Sequence, residues 1–223
     1  MKERPILFSA PMVLATLEGR KGVTRRAVKG LQVPKENPAQ GETRMRWSAV
    51  GQRDARYGFC VFGETEEACA MELGEFGACP YGRRDDRLWV REAFRDARGA
   101  LAGRVLYRAS GDIACGWKPS IHMPRWASRL LLAITAVRVE RLQDGEGETA
   151  FESRYLAEGI NRIHHGDGAY YYSAFRDEPH PQNWCDPFDA WRELWVSING
   201  VESWDANPWV WVVEFKRLEV AND

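Results

Sequence analysis

A lysine and a threonine stand three residues apart within a run of arginines, in the stretch LEGRKGVTRR. Amide hydrolysis needs a nucleophile, a base that accepts its proton, and hydrogen-bond donors for the developing oxyanion. Thr24 supplies a hydroxyl, and Lys21 can serve as the base if burial lowers the pKa of its ammonium group. The neighbouring cations that offer contacts to a phosphate or an oxyanion are Arg20, Arg25 and Arg26. The pattern predicts a ligand site, and the structural alternative is a lysine that stabilises a helix dipole beside an ordinary strand threonine.

The elements around this stretch are predicted to be a helix followed by a strand. Ser9 can cap a helix over residues 10–18, and Gly19 suits the position just after the helix end. The alternating and β-branched residues 23–28 predict a short strand. The turn between the two elements allows the lysine and the threonine to face one cavity.

Further along the chain, hydrophobic periodicity predicts several strands and two more short helices. The predicted strands cover residues 86–94, 103–110, 130–142 and 207–218. The predicted helices cover residues 149–158, opened by a capping box at Thr149 and Glu152, and residues 187–199. The apolar stripe of the last helix, typical of a core-facing helix, consists of Phe188, Trp191, Leu194, Trp195 and Ile198.

Two parts of the chain lack a clear helical or strand period and are predicted to be elaborations. They are residues 30–84, rich in Gly, Pro and charge, and residues 161–185, predicted as a loop or short hairpin. Short helices around several non-local strands indicate one α+β domain over residues 1–223, built on a curved or closed sheet.

Composition limits the classes of function. Hydrophobic residues make up 44% and charged residues 28%, which is ordinary for a soluble globular protein. The net charge is −1 and the pI is near 6.5, so any nucleic-acid affinity must come from a local basic patch. No apolar run approaches the roughly 18 residues that span a bilayer, so we expect a cytoplasmic protein without a membrane partner. The five cysteines are odd in number and widely spaced, which argues against a disulfide framework.

A second group of cations lies in residues 116–130, which are predicted to form a structured loop. The interleaved residues that suit a single strand or a flipped base are Lys118, Arg125, Trp126 and Arg129. The structural alternative is a loop pinned to the sheet by its tryptophans. His164 and His165 beside Asp167 can bind a metal, but adjacent histidines in a strand point to opposite faces, so no metal site is expected.

Several motifs resemble the ASCH domain, a family of PUA-like β-barrels. GRKGVTRR fits the family's G-x-K-x-x-T-x-R signature, and the residues in register are Gly19, Lys21, Thr24 and Arg26. DDRLWVRE resembles the family's G-D-x-L-x-V strand, although Asp85 replaces the usual glycine. The segment ERLQDGEGETAFESRYLAEGI resembles the one that carries the family's acidic residue, which is Glu158 here. WVWVVEFKRL resembles the closing strand. RPILFSAPM, CPYG, WKPSIHMPRWASR and SWDANPWVWVVEFKR resemble the longer ASCH-like proteins of bacteriophages and prophages.

The resemblance implies a PUA-like β-barrel with short flanking helices and an inserted irregular elaboration. It also implies binding of RNA or modified nucleosides, and a bacterial branch of the family hydrolyses N4-acetylcytidine with a lysine, a threonine and a glutamate. The catalytic residues implied here are Lys21, Thr24 and Glu158, with Glu158 orienting the lysine or handling the leaving amine's proton.

We therefore expect recognition of a nucleic acid or modified nucleoside through a basic pocket, without a cofactor. The expected partners are RNA, single-stranded DNA or a modified nucleoside. Amidohydrolase activity on an N4-acylated cytidine, a non-catalytic RNA- or DNA-binding module, and a nuclease that uses the same cleft all stay open from the sequence.

Overall fold

The computed structural model describes residues 1–37, 45–52, 58–99, 103–144 and 154–219. The strands in these ranges are β1 (Glu3–Leu7), β2 (Val23–Ala27), β3 (Lys35–Glu36), β4 (Trp47–Val50), β5 (Cys60–Gly63), β6 (Arg87–Arg91), β7 (Phe94–Asp96), β8 (Val105–Tyr107), β9 (Leu131–Arg141), β10 (Asn161–His164), β11 (Tyr170–Ser173) and β12 (Trp209–Leu218). The helices are α1 (Ala10–Leu17), α2 (Glu66–Phe76), α3 (Pro187–Asn199) and α4 (Val201–Asp205). The predicted α+β class is confirmed.

The central sheet has five strands in the order β1-β6-β9-β12-β2. β1 runs parallel to β6, and the other neighbouring pairs are antiparallel. β1 and β2 occupy the two edges, and no pairing between them closes a barrel in the described ranges. The two long strands, β9 and β12, form the middle of the sheet and pair along their length, with a register shift at Glu214 and Phe215.

The first half of β12, residues 209–213, is buried on both faces. Val210, Val212 and Val213 are fully buried, and Trp211 is 1% exposed. A near-continuous apolar run is typical of a strand that is covered on both sides. α3 contributes to the cover with the buried residues Trp191, Leu194 and Trp195, so its predicted stripe is confirmed except for Ile198, which is 45% exposed because it lies in the last turn.

The helix and strand predicted around the lysine and the threonine are confirmed as α1 and β2. Gly19 has φ of +77°, the left-handed conformation expected after a helix end. Ser9 occupies the N-cap position, but its side chain accepts no hydrogen bond from α1. β2 is an edge strand, so its free side is available to another segment.

The interpretation of residues 30–84 as irregular is wrong in part. They contain the three-stranded sheet β3-β4-β5 and the 11-residue helix α2, which packs against β5 and β9. Cys69 and Leu73 of α2 are buried, whereas Met71 and Phe76 are exposed. The apolar residues of α2 therefore do not form one face, and this explains why the sequence shows little helical periodicity.

Two other predictions concern the chain before α3. The first half of the helix predicted over residues 149–158 lies outside the described residues, and the described half contains one 3-10 turn, Leu156–Glu158. The hairpin prediction for residues 161–185 is confirmed, since β10 pairs with β11 in antiparallel register. In the described part of the chain, none of the helices is both long enough and apolar enough to cross a membrane.

Candidate functional site

The chain enters the candidate site through a turn fixed by backbone hydrogen bonds. The amides of Arg20 and Lys21 both donate to the Ala15 carbonyl, at 2.9 and 3.0 Å. The amide of Gly22 donates to Ala157 at 2.8 Å, so the segment before Glu158 lies against the free side of β2. This contact brings residues that are far apart in sequence next to each other.

Lys21 and Glu158 form a buried ion pair. The Lys21 Nζ atom lies 2.7 Å from Glu158 Oε2, and the two side chains are 0% and 3% exposed. The ammonium also donates to the carbonyl oxygens of Val23 and Glu158, each at 2.8 Å. An ammonium group has three N–H donors, so each of them has an acceptor in this arrangement.

Arg25 joins this pair to a second carboxylate. Its Nη1 lies 3.1 Å from Glu158 Oε1, and its Nε lies 3.1 Å from Glu140 Oε1. The guanidinium also lies over the rings of Tyr155 and Trp191, each 5.4 Å from the ring centroid. These contacts fix the plane of the Arg25 side chain inside the protein.

The charges in this centre shift each other's pKa. Burial lowers the pKa of the Lys21 ammonium below its ordinary value, although the attraction of Glu158 opposes this shift. Burial disfavours ionisation of Glu158, but Lys21 and Arg25 outweigh it, and the pKa of Glu158 is lowered. The resting centre is therefore an ion pair, and Lys21 must lose its proton before it can act as a base.

A cavity of about 110 Å³ adjoins the ion pair. Its polar lining includes Arg25, Arg26 and Glu158, and its apolar lining includes Trp191 and Trp195. Two buried guanidinium nitrogens, Arg25 Nη2 and Arg26 Nε, have no hydrogen-bond partner within the described residues. Buried donors without an acceptor are costly, so these nitrogens point to a ligand that supplies acceptors.

Arg26 differs from Arg25 in its surroundings. Its Nη2 donates to the Leu7 carbonyl at 2.7 Å, and its guanidinium lies 5.9 Å from the ring centroid of Phe8. Over the described ranges Arg26 forms no ion pair with a carboxylate. Burial lowers the pKa of this guanidinium, because the charged form loses its hydration.

Thr24 lies beside this centre but does not join its hydrogen-bond network. Its side chain is on the same face of β2 as Arg26, since side chains alternate along a strand. The residue is 1% exposed. Among the described residues that line the cavity, Thr24 is not included. The structure thus brings Lys21 and Glu158 together, and the nucleophilic role of Thr24 stays a prediction.

The other predicted binding residues lie mostly in ion pairs. Arg20 donates to Glu18, at 2.5 Å, and to the Gly159 carbonyl, at 2.7 Å. Arg125 Nε lies 2.8 Å from Glu3, and Arg129 donates to both oxygens of Glu92. Lys118 is exposed, and Trp126 is 52% exposed with the Arg98 guanidinium 3.6 Å from its ring centroid.

The histidines considered as metal ligands have other contacts. His165 stacks on Tyr171 with ring centroids 4.0 Å apart, and His164 lies edge-on to Tyr170. A search of the described chain finds no group of three His, Cys, Asp or Glu side chains that could hold a metal ion. Glu140 and Tyr155 were not identified from the sequence as site residues; the only signal for Glu140 is a charged residue at the end of an otherwise apolar strand.

Comparisons with protein-family models, with curated proteins and with solved structures find no match for this chain.

Proposed function

We propose that the cavity beside the Lys21–Glu158 pair recognises a pyrimidine nucleoside that carries an N4-acyl group. The observation that carries this proposal is the pair of buried nitrogens without partners, Arg25 Nη2 and Arg26 Nε, at the wall of the cavity. They require acceptors on the ligand. The sequence resemblance to the ASCH signature around Thr24 supports the same class of ligand.

The charge balance favours an acceptor-rich ligand. Lys21, Arg25 and Arg26 face Glu158 and Glu140, so the centre holds three cations against two carboxylates. Glu140 also receives ion pairs from two further arginines, at 3.0 and 3.2 Å. A buried excess of positive charge is expensive unless a ligand compensates it.

Glu158 favours a ligand that also has an N–H donor. Each of its oxygens accepts one bond from a cation, and an ionised carboxylate has about four lone-pair sites. An acylated cytosine offers both kinds of group, because its ring and acyl oxygens accept and its amide N–H donates. Trp191 and Trp195 add flat apolar walls of the kind against which a base packs.

The size of the cavity limits what can enter. An apolar cavity of roughly 150 Å³ accepts a benzene ring. At about 110 Å³ the cavity here is smaller, so it takes the acylated edge of a base and not a whole nucleoside. The sugar then lies outside the cavity.

A second function, hydrolysis of the acyl amide, is favoured by the burial of Thr24, which is 1% exposed and follows the buried Lys21 by three residues. In this reaction Lys21 first passes a proton to Glu158 and becomes a neutral amine; Thr24 Oγ1 then attacks the acyl carbon, and its proton passes to the Lys21 amine. Lys21 gives that proton to N4 as the C–N bond breaks, so the leaving group departs as cytidine, and Glu158 returns the first proton to Lys21. Water then cleaves the threonine ester to give the free acid and the original hydroxyl.

We also propose that the five-stranded sheet is an open variant of the PUA-like barrel. The motifs at both ends of the chain support this relationship, since β2 carries the GRKGVTRR signature and β12 carries the closing-strand motif. The two strands are neighbours in the sheet. A ligand held beside β2 would thus lie at the same edge as both motifs.

Calorimetric titration with N4-acetylcytidine, cytidine and uridine tests the proposed function. We expect the acylated nucleoside to bind more tightly than the other two. Arg26→Met should weaken binding by about tenfold to a hundredfold, because a hydrogen bond to a charged group contributes about 1.5–3 kcal/mol. Arg217→Met is the matched control, since Arg217 also donates to a main-chain carbonyl but is exposed. Equal affinities for all three nucleosides, or no binding, would refute the proposal.

A further inference from the structure

The charge of the chain is distributed very unevenly. Residues 91–130 carry seven arginines and one lysine against three acidic residues, a formal net charge of +5, although the whole chain has a net charge of −1. The remainder of the molecule is therefore acidic. A concentration of positive charge on one part of a nearly neutral protein is the electrostatic footprint of a polyanion-binding surface.

The described residues of this stretch, 91–99 and 103–130, follow β6, and Arg125 links them to Glu3 of the edge strand β1. The hairpin of β7 and β8 pairs with the loop of residues 116–130 through a bridge between Phe94 and Lys118. Phe94, Met123 and Ala127 form a small core that is distinct from the main hydrophobic core. This small core packs the loop against the hairpin of β7 and β8.

Only some of the cations in this stretch are available to a partner. Arg125 and Arg129 are neutralised by Glu3 and Glu92, at 2.8 Å each. In contrast, three exposed cations have no carboxylate partner among the described residues. They are Arg108, Lys118 and Arg95, although Arg95 Nη1 donates to the carbonyls of Cys115 and Gly116. The binding surface is therefore centred on different cations from those that the sequence singled out.

Trp126 adds an exposed aromatic ring to this positively charged surface. Its ring is 52% exposed, and the Arg98 guanidinium stacks 3.6 Å from the ring centroid. Asp96 holds Arg98 through hydrogen bonds of 3.0 and 3.1 Å, so the arginine supports the indole from one side. Arg98 lowers the pKa of Asp96 by hydrogen bonding and Lys118 lowers it further by its charge, which places the lysine beside this cluster.

We propose that the unit of residues 91–130 is a docking surface for a single-stranded polynucleotide, with Trp126 stacking on a base and Arg95, Arg108 and Lys118 contacting phosphates. A strand with unpaired bases offers both the negative charge and the flat apolar rings that this surface matches. Seven of its eight cations are arginines, whose planar group binds phosphate through two hydrogen bonds. The surface shares none of its residues with the cavity beside Glu158, so this proposal does not depend on the proposed function.

Fluorescence anisotropy with labelled oligothymidylate and oligouridylate of about twelve nucleotides tests the proposal. We expect both to bind at about 50 mM salt and to bind more weakly at about 200 mM, because counterions are released from the phosphates. Trp126→Ala should reduce affinity roughly fivefold to a hundredfold, and Trp126→Phe should restore part of it. Lys118→Gln should lower the slope of log affinity against log salt by about 0.7.

Trp184→Ala is the matched control, because Trp184 is 40% exposed but lies outside residues 91–130. It should leave oligonucleotide affinity unchanged. An equal loss in Trp126→Ala and Trp184→Ala, with both proteins folded by circular dichroism, would overturn the proposal. So would the absence of oligonucleotide binding at low salt, including the case in which the protein instead sediments with phosphatidylserine vesicles.

Discussion

The Lys21 ammonium lies 2.7 Å from Glu158 Oε2, although 137 positions separate the two residues in sequence. The pair is buried between the turn after α1 and the segment that covers the free side of β2. Because no solvent screens it, the removal of one partner leaves an uncompensated charge inside the protein. Loss of the pair should therefore disturb the candidate site and also destabilise the fold.

Replacement of the lysine should show this coupling. Lys21→Met keeps the length of the side chain but leaves Glu158 with Arg25 as its remaining cation partner. We expect the free energy of unfolding to fall by about 3–5 kcal/mol, the cost of breaking a buried ion pair. Urea unfolding followed by tryptophan fluorescence measures it. Lys216→Met, at an exposed position of β12, is the control and should change stability by less than about 0.5 kcal/mol.

The lowered pKa of Glu158 predicts a contribution to acid sensitivity. Between the folded and unfolded pKa values the unfolded chain binds more protons, so stability rises with pH there. The contribution of Glu158 is present above its ordinary pKa of 4.5 and is lost as the pH falls through the lower pKa of the folded state. Unfolding free energies measured between about pH 6 and pH 3.5 should therefore fall less steeply in Glu158→Gln than in the wild type. The exposed Glu219→Gln variant should keep the wild-type slope; identical slopes in all three proteins would show that Glu158 contributes nothing.

Gly159 follows Glu158 at a position where the structure favours glycine. It has φ of +97°, and a Cβ there would lie 2.6 Å from the Cβ of Ala15 in α1. Gly166 also has a positive φ, +87°, but a Cβ there meets nothing within 4 Å. Gly166→Ala should cost about 1–2 kcal/mol from the backbone conformation alone. Gly159→Ala should cost about 1–3 kcal/mol more, from the added overpacking, as measured by thermal or urea unfolding. Equal losses of stability in the two variants would show that α1 moves to make room for the new methyl group.

The hydrolysis hypothesis makes a separate prediction about Thr24. Thr24→Val keeps the shape of the side chain and removes the hydroxyl. It should abolish release of cytidine from N4-acetylcytidine, followed by chromatography, while affinity changes by less than about tenfold, since one neutral hydrogen bond contributes about 1 kcal/mol. Thr24→Ser, which retains a hydroxyl, should preserve part of the turnover. A wild-type protein that binds the nucleoside but releases no cytidine would leave recognition as the only function of the site.

The sequence predicts the elements with strong local signals. α1, β2, β9, α3 and β12 have clear hydrophobic periodicity or a long apolar run, and the structure confirms each of them. α2 was missed because its apolar residues are divided between the interior and solvent. Its N-cap is nevertheless readable, since the Thr65 side chain accepts a hydrogen bond from the Ala68 amide.

The site was predictable only in part. Lys21, Thr24 and Glu158 were identified together because they match a family motif. Hydrophobic periodicity and residue propensity do not link Glu158 to the other two residues. The role of Arg25 as a bridge between Glu158 and Glu140 depends on the pairing of β2 with β12 and of β12 with β9, which are non-local. Likewise, the sequence does not show that Arg125 and Arg129 are neutralised by Glu3 and Glu92, because these partners lie far away in sequence, in β1 and just after β6.

The most direct test of the central claim is a crystal structure of the protein with bound N4-acetylcytidine. The account predicts that the acylated edge of the base occupies the cavity between Trp191 and Glu158. Acceptor atoms of the ligand should lie about 2.7–3.2 Å from Arg25 Nη2 and Arg26 Nε, which is ordinary hydrogen-bond distance. A nucleoside bound elsewhere on the protein, with these two nitrogens still lacking acceptors from it, would contradict the account.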